Sequence, residues 1–385
     1  MTSAATKSDF PAHIARAKRV TLKIGSALIV NPETGAANTL WMRGLAEDVA
    51  RLRRAGVEVM IVSSGAGALG RRYLGLSTRQ LPLDRKQAAA AAGQPILMRA
   101  WDEVFSEHGI KVAQVLLTRE DTERRRRWLN ARETADTLLK LGIVPIVNEN
   151  DTVATEEIRY GDNDRLAARA AMLVRSEALV LLSDIDGLYT ADPRNNPSAE
   201  HIALVETITP EIEAMAGGAN AAAGVGTGGM ATKIAAARIA GAAGCSTTIM
   251  NGQALRPLSA LAQGARFTLI AAQASSGAAY KAWIAGTVVP AGQIHIDAGA
   301  ARALATGKSL LPSGITSVTG LFDKGDSVSV LHDGRELARG IAAYSSDDIA
   351  AIKGKASRDI EATLGYTSGD EVIHRDDMVM VGNPA

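Results

Sequence analysis

The chain has 385 residues, 46% of them hydrophobic and 22% charged, with a net charge of +1. That balance excludes a disordered chain and argues against a dedicated polyanion binder, and the length allows two or three domains. Aromatic residues make up only 4%, so the core must be aliphatic and base-stacking platforms are not expected. A single cysteine, Cys245, lies in a run of small residues; it excludes an intrachain disulfide and cysteine-rich zinc sites, and reads as a buried small residue rather than a nucleophile. No apolar run approaches the ~20 residues of a membrane span. Met1 to Lys18 carry no secretory h-region, so a cytoplasmic protein is expected.

In chain order, Arg19 to Ile24 reads as a strand ending at Gly25. Leu40, Leu45, Val49 and Leu52 fall near helical spacing, with Gly56 as a C-cap. Val57 to Val62 is a nearly continuous apolar strand running into Ser63-Ser64-Gly65. An alanine-rich helix from Lys86 to Glu107 precedes a strand at Val112 to Leu117. Further strands at Ile143 to Val147 and Leu179 to Leu182 enter Asn148-Glu149-Asn150-Asp151 and Ser183-Asp184, and Arg165 to Val174 between them reads as helical. Met230 to Ala243 is helical and leads into a strand at Thr247 to Met250. Strands apolar throughout are buried on both faces, so the expected fold is a mostly parallel α/β sheet sandwiched by helices. Polar and glycine-rich residues cluster after the strands, the edge where open α/β sheets bind ligands.

The pattern changes near Ala265. Short strands follow at Thr287 to Val289, Gln293 to Asp297, Ile315 to Phe322, Ser327 to His332 and Leu337 to Tyr344, separated by turn signals such as Asp333-Gly334. The expected organisation is an α/β domain over 17–264, a linker over 265–285 and a small mostly-β domain over 286–382. From Ala285 onward nine basic face thirteen acidic side chains, a net charge of −4.

Three constellations could carry chemistry. Gly224-Val225-Gly226-Thr227-Gly228-Gly229-Met230-Ala231-Thr232-Lys233 feeds a helix N-terminus, which presents backbone N–H groups and a positive dipole end to phosphate. Lys23-Ile24-Gly25-Ser26 places a lysine at the end of the first strand, either reaching phosphate or facing solvent on an edge. Asn148 to Asp151 and Gly161-Asp162-Asn163-Asp164 could hold an ammonium group or a metal–phosphate complex; a turn and helix N-cap is the structural alternative for the second. The P-loop pattern fails, since Gly307-Lys308-Ser309 has Arg302 where the first glycine belongs. The kinase-type His374-Arg375-Asp376 lacks its asparagine. Gly65-x-Gly67-x-x-Gly70 matches the dinucleotide fingerprint by letter, but no apolar strand follows to place an acid against a ribose. The six histidines show no metal spacing.

Lys-x-Gly-Ser, Ser-Ser-Gly-Ala, Asn-Glu-Asn-Asp, Gly-Asp-Asn-Asp, Ser-Asp-x-x-Gly-Leu-Tyr-Thr-Ala-Asp-Pro and Gly-Thr-Gly-Gly-Met-x-Thr-Lys occur in that order. The set resembles the amino acid kinase family, in the branch that phosphorylates glutamate. The tail, through Ser317 to Gly320 and His374 to Met378, resembles a PUA domain. The resemblance implies ATP-dependent phosphorylation of the γ-carboxylate of L-glutamate, the first step of proline biosynthesis, with Mg²⁺ carried by ATP and no protein metal site. It implies Lys23, Lys233 and Asp164 as catalytic, the lysines flanking the phosphoryl group and Asp164 orienting them. It implies Ser64, Asp151, Asn163, Asp162 and Asn148 for glutamate. For ATP it implies Lys23, Gly25, Ser183, Asp184, Thr227, Gly228, Gly229, Met230, Ala231, Thr232 and Lys233. Feedback inhibition by proline and a homo-oligomer, dimer or tetramer, also follow from it. PUA domains elsewhere bind RNA, but the acidic, aromatic-poor tail argues for a regulatory or scaffold role. Another carboxylate kinase of the family, or an RNA-binding protein with a degenerate kinase domain, are the alternatives.

Overall fold

The computed structural model describes residues 10–76, 81–153, 163–217, 229–272 and 290–381. The chain divides into two compact units, Met1–Glu123 with Asn130–Ser276, and Arg124–Leu129 with Gly277–Ala385. The expected strand at Thr287 to Val289 and most of the expected linker lie outside the described residues.

In the first unit the strands are β1 (Arg19–Ile24), β2 (Glu58–Ser63), β3 (Val112–Leu117), β4 (Val144–Glu149), β5 (Ala178–Ser183), β6 (Leu188–Tyr189), β7 (His201–Ile202), β8 (Leu204–Val205), β9 (Ser246–Asn251) and β10 (Phe267–Ile270). β6 and β7 form a separate antiparallel pair, and the other eight form one sheet in the order β3-β4-β2-β1-β5-β9-β10-β8. The sheet is parallel from β3 through β9; β10 runs antiparallel to β9. A mostly parallel sheet is therefore present, with its antiparallel departure at one side.

Strand alternation divides the layers. Val20, Leu22 and Ile24 of β1 join the core that includes Trp41, Leu45, Val49, Leu97 and Trp101 of the helices Thr39–Arg54 and Leu83–Ser106. Thr21 and Lys23 take the other parity and are also buried. On their side lie the helices Asn163–Leu173 and Met230–Ala242, which bury mostly alanines: Ala167, Ala168, Ala170 and Ala171 in one, Ala236, Ala237 and Ala240 in the other. Small side chains let these helices approach closely, which brings their first turns down to the ends of β1 and β5.

A second close approach shapes the same edge. The helices Ala66–Tyr73 and Leu83–Ser106 touch backbone to backbone, because a Cβ on Gly70 would stand 1.7 Å from the Ala89 carbonyl oxygen and one on Gly93 1.8 Å from that of Ala66. Gly70 of the dinucleotide-like letters is thus a helix contact, and Gly65 is a turn residue at φ 110° after β2.

The second unit holds β11 (Gly292–Ile296), β12 (Ile315–Thr319), β13 (Ser327–His332), β14 (Arg335–Ile341) and β15 (Met378–Met380), ordered β12-β11-β13-β14-β15. Only the β11–β13 pair is parallel. Its core is built on Ile294, Val328, Val330, Tyr344 and Ile373. Asp333 and Gly334, at φ 49° and 73°, form the two-residue turn between β13 and β14, as their sequence signal implies. His374 opens a single 3₁₀ turn, its Nδ1 accepting from the Asp376 N–H at 3.2 Å, so those kinase-like letters are a cap. No helix among the described residues is long and apolar enough to cross a membrane.

Gly93→Ala is expected to destabilise the first unit by at least ~1–3 kcal/mol, the usual cost of overpacking, because both neighbours are backbone and cannot yield. Chemical denaturation of the variant checks this.

Candidate active site

The chain leaves β1 for β2 on one side and later returns to β5 on the other. Connections therefore diverge from the carboxyl end of β1 and leave a crevice above it. A cleft of about 470 Å³ lies there, lined by Lys23 in β1, Gly25 and Ser26 after it, Ser64 to Ala68 after β2, Asn148, Glu149 and Asp151 at β4, Ser183 and Asp184 at β5, and Asn163, Lys233 and Gln253.

Its centre is a buried ion cluster. Lys23 Nζ lies 2.5 Å from Asp164 Oδ1 and Lys233 Nζ lies 3.1 Å from Asp164 Oδ2. The three side chains are between 1% and 9% exposed. Lys23 is therefore no solvent-facing edge lysine: β1 is central in the sheet, and its parity aims Lys23 at the alanine-lined helices. Asp164 stands in the first turn of Asn163–Leu173, where the helix dipole favours a carboxylate. Burial alone would raise its pKa, but the two ammonium groups, by charge and by hydrogen bonding, hold it below the usual carboxylate value. Thr232 Oγ1 stands within hydrogen-bonding reach of Asp164 Oδ2 (3.0 Å) and of the Gly229 carbonyl (2.8 Å), tying the start of Met230–Ala242 to the cluster.

On one side of the lysines lies a line of amides. Asn163 Nδ2 donates to Ser64 Oγ at 2.7 Å and to Asn148 Oδ1 at 3.2 Å. Asn148 Nδ2 donates in turn to Gln94 Oε1 at 2.9 Å. Asp151 is half-buried in the same wall, and desolvation lifts its carboxyl to about 6. On the other side Ser183 Oγ donates to Asp184 Oδ1 at 3.0 Å, and Asn251 Nδ2 to the Asp184 carbonyl at 3.4 Å.

Gly25, Gly67 and Gly229 share one property: a Cβ built on any of them meets no described atom within 4 Å. Their open faces suit close approach of a ligand to the backbone. Gly229 also brings no side chain to cap the helix it precedes, which suits an anion there.

Of the expected site residues, Lys23, Gly25, Ser64, Asn148, Asp151, Asn163, Ser183, Asp184 and Lys233 line this cleft. Asp164 lies beneath the lysines, while Gly229, Met230, Ala231 and Thr232 form the start of the helix Met230–Ala242. Asp162, Thr227 and Gly228 lie outside the described residues. Sequence reasoning missed Gln253, which the strand-end rule could have found after β9, and Gln94, which no spacing marks within an alanine run. Cys245 is buried, and burial pushes its thiol up, away from nucleophilic use. Among the described residues no three histidine, cysteine, aspartate or glutamate side chains group as a metal site.

Residues 18–251 match the Amino acid kinase family and residues 292–364 match the PUA domain. The chain belongs to the amino acid kinase family, a family of phosphotransferases that draw on ATP, and carries a C-terminal PUA domain. Within that family it is similar to a glutamate 5-kinase of Caulobacter vibrioides, at 64% identity over 94% of this chain and 97% of that one. It is also similar to a glutamate 5-kinase of Paramagnetospirillum magneticum, at 55% identity over 96% and 99%. A UMP kinase structure from Bacillus anthracis aligns with 67% of this chain and 97% of its own length, at 17% identity and a TM-score of 0.45.

The desolvated Asp151 has a stability consequence. Its folded pKa, raised to about 6, makes the carboxyl favour folding below the unfolded value near 3.9 and disfavour it as pH rises through 6. Asp151→Asn is expected to melt higher than the parent protein at pH 8, with the gap closing as pH falls toward 4. Thermal melts across that range, without ligand, test it.

Proposed function

We propose that this chain transfers the γ-phosphoryl group of ATP to the γ-carboxylate of L-glutamate, giving L-glutamyl 5-phosphate at the entry to proline biosynthesis. The observation that carries the reading is the pair of lysines held by one buried carboxylate in the strand-end cleft; the names of the full-length relatives point to the acceptor.

A carboxylate acceptor is already an anion near neutral pH, so its attack needs no general base. The reaction needs positive charge on the transferring phosphoryl group and two anions held in line. Lys23 and Lys233 supply that charge from two different elements, and Asp164 fixes where both ammonium groups stand. Asp164 moves no proton: its carboxyl, held below the usual range by the lysines, stays ionised at working pH. Asp151 receives the substrate ammonium, Ser64 and Asn163 its polar head, with Asn148 and Asp162 as neighbours. Gly25, Ser183, Asp184 and the segment from Thr227 to Lys233 receive the nucleotide. Mg²⁺ arrives with ATP, held by phosphate oxygens and water. In the same reading proline, with its carboxylate and charged nitrogen, competes at the Asp151 wall, and the enzyme works as a cytoplasmic homo-oligomer.

Hydroxylamine traps an acyl phosphate as a hydroxamate. ATP-dependent hydroxamate from glutamate, and from no other acid in a panel, is the expected result. A signal only with another acid would reassign the acceptor within the family, and silence across the panel from folded protein would overturn the reading.

Lys23→Ala and Lys233→Ala are each expected to lower kcat by about 100- to 1,000-fold, the usual loss for one transition-state donor, with the glutamate KM little changed. Steady-state kinetics on both variants decide; near-parental turnover in either removes that lysine from the mechanism.

A further inference from the structure

Gln94 is nine-tenths buried in the helix Leu83–Ser106, and its side chain does not line the cleft. Its Oε1 accepts from Asn148 Nδ2, while its Nε2 has no hydrogen-bond partner among the described residues. Leaving a buried amide donor unpaired is costly, so the orientation that incurs it calls for a reason.

The reason lies in the direction of the amide line. Each amide has a donor end and an acceptor end. With Gln94 Oε1 facing Asn148, Asn148 turns its own oxygen toward Asn163, and both hydrogens of Asn163 Nδ2 are used, on Asn148 and on Ser64. Two groups are thereby freed: Asn163 Oδ1 as an acceptor, and the Ser64 hydroxyl hydrogen as a donor, because Ser64 Oγ is accepting. Reversing Gln94 would set donor against donor at Asn148. Relief then requires Asn148 and Asn163 to turn as well, which exchanges the oxygen and the NH₂ group of Asn163, a residue that lines the cleft. An amino acid head group carries an ammonium, which wants acceptors, beside a carboxylate, which wants donors. Only the observed direction matches Asn163 Oδ1 and Asp151 to the first and Ser64 to the second.

We infer that Gln94 is a positioning residue, one that sets the polarity of the Gln94–Asn148–Asn163–Ser64 line so that the cleft accepts an α-amino acid. The inference rests on the glutamate kinase reading above and assigns it a residue outside the cleft.

Gln94→Met keeps length and bulk and removes both polar ends. It is expected to raise the glutamate KM about 10-fold, with kcat and the ATP KM within about twofold of the parent. Glutarate keeps the carboxylate that Ser64 meets and lacks the ammonium, so its inhibition should weaken by no more than about threefold, clearly less than the glutamate KM rises. Gln94→Glu keeps an oxygen toward Asn148 and should return the glutamate KM to within about threefold of the parent. Asn148→Asp can only accept, so it fixes the Asn163 amide by itself; in that background Gln94→Met should add less than about twofold. Thermal melts accompany each variant. Should Gln94→Met fail to fold, the Gln94→Glu KM carries the test alone, and a large rise there overturns the inference. An unchanged glutamate KM in folded Gln94→Met, equal losses for glutamate and glutarate, or full additivity with Asn148→Asp would each overturn it too. Silence of the parent protein with glutamate would instead sink the functional reading, and this inference with it.

Discussion

One carboxylate shared by two ammonium groups is the constraint on which the catalytic unit depends. Two buried like charges repel, and either alone is expensive to desolvate. Asp164, touching both Lys23 and Lys233, makes the arrangement tolerable while leaving the group with a net positive charge. Meeting that geometry requires three separate things. β1 must be central, with Lys23 on the parity that faces the alanine helices. The helix Asn163–Leu173 must begin beside the end of β1, so that its first turn carries Asp164 there. Met230–Ala242 must start where Lys233 falls in its first turn. The small residues beneath both helices serve that convergence, because bulkier side chains would lift the first turns away from the strand ends.

Two polar costs fall at or beside the cleft. Asp151 keeps a carboxyl where burial opposes its charge, and Gln94 leaves a buried donor unmet among the described residues. Asp151 lines the cleft wall and Gln94 stands behind it, bonded to Asn148, and both suit the amino acid head group of the proposed reaction. The second unit closes its core with aliphatic packing around Tyr344, whose hydroxyl donates to the Gly369 carbonyl at 2.5 Å.

Much of the strand framework was legible because parallel strands buried on both faces read as unbroken apolar runs. Their ends, marked by Ser63-Ser64-Gly65, Asn148 to Asp151 and Ser183-Asp184, placed most of the cleft. What stayed illegible depends on strand order and tertiary packing. Whether Lys23 sits on an edge or at the centre is decided by where β5 inserts, and no local pattern encodes that. Gly65, Gly67 and Gly70 spell one motif, yet one is a turn, one faces open cleft and one is a helix contact. Gln94 is hidden for a related reason: in an alanine-rich helix, a buried polar residue leaves no periodic trace.

Asn163 and Asp164 are consecutive residues at the head of one helix. The first belongs to the amide line and the second holds the two lysines, so in the proposed reaction a single peptide unit joins the amino acid's anchor to the charge on the phosphoryl group. Neither can shift along the cleft without the other. In the proposed reaction this turns the helix start into a ruler. The span from head group to reacting carboxylate is fixed by covalent geometry rather than by a pocket wall. An acid one methylene shorter, anchored at the same head, would hold its carboxylate on the order of 1 Å short, a displacement that can cost on the order of 100-fold in rate. Selection for chain length would then reside in the backbone, where side-chain substitutions could not easily relax it.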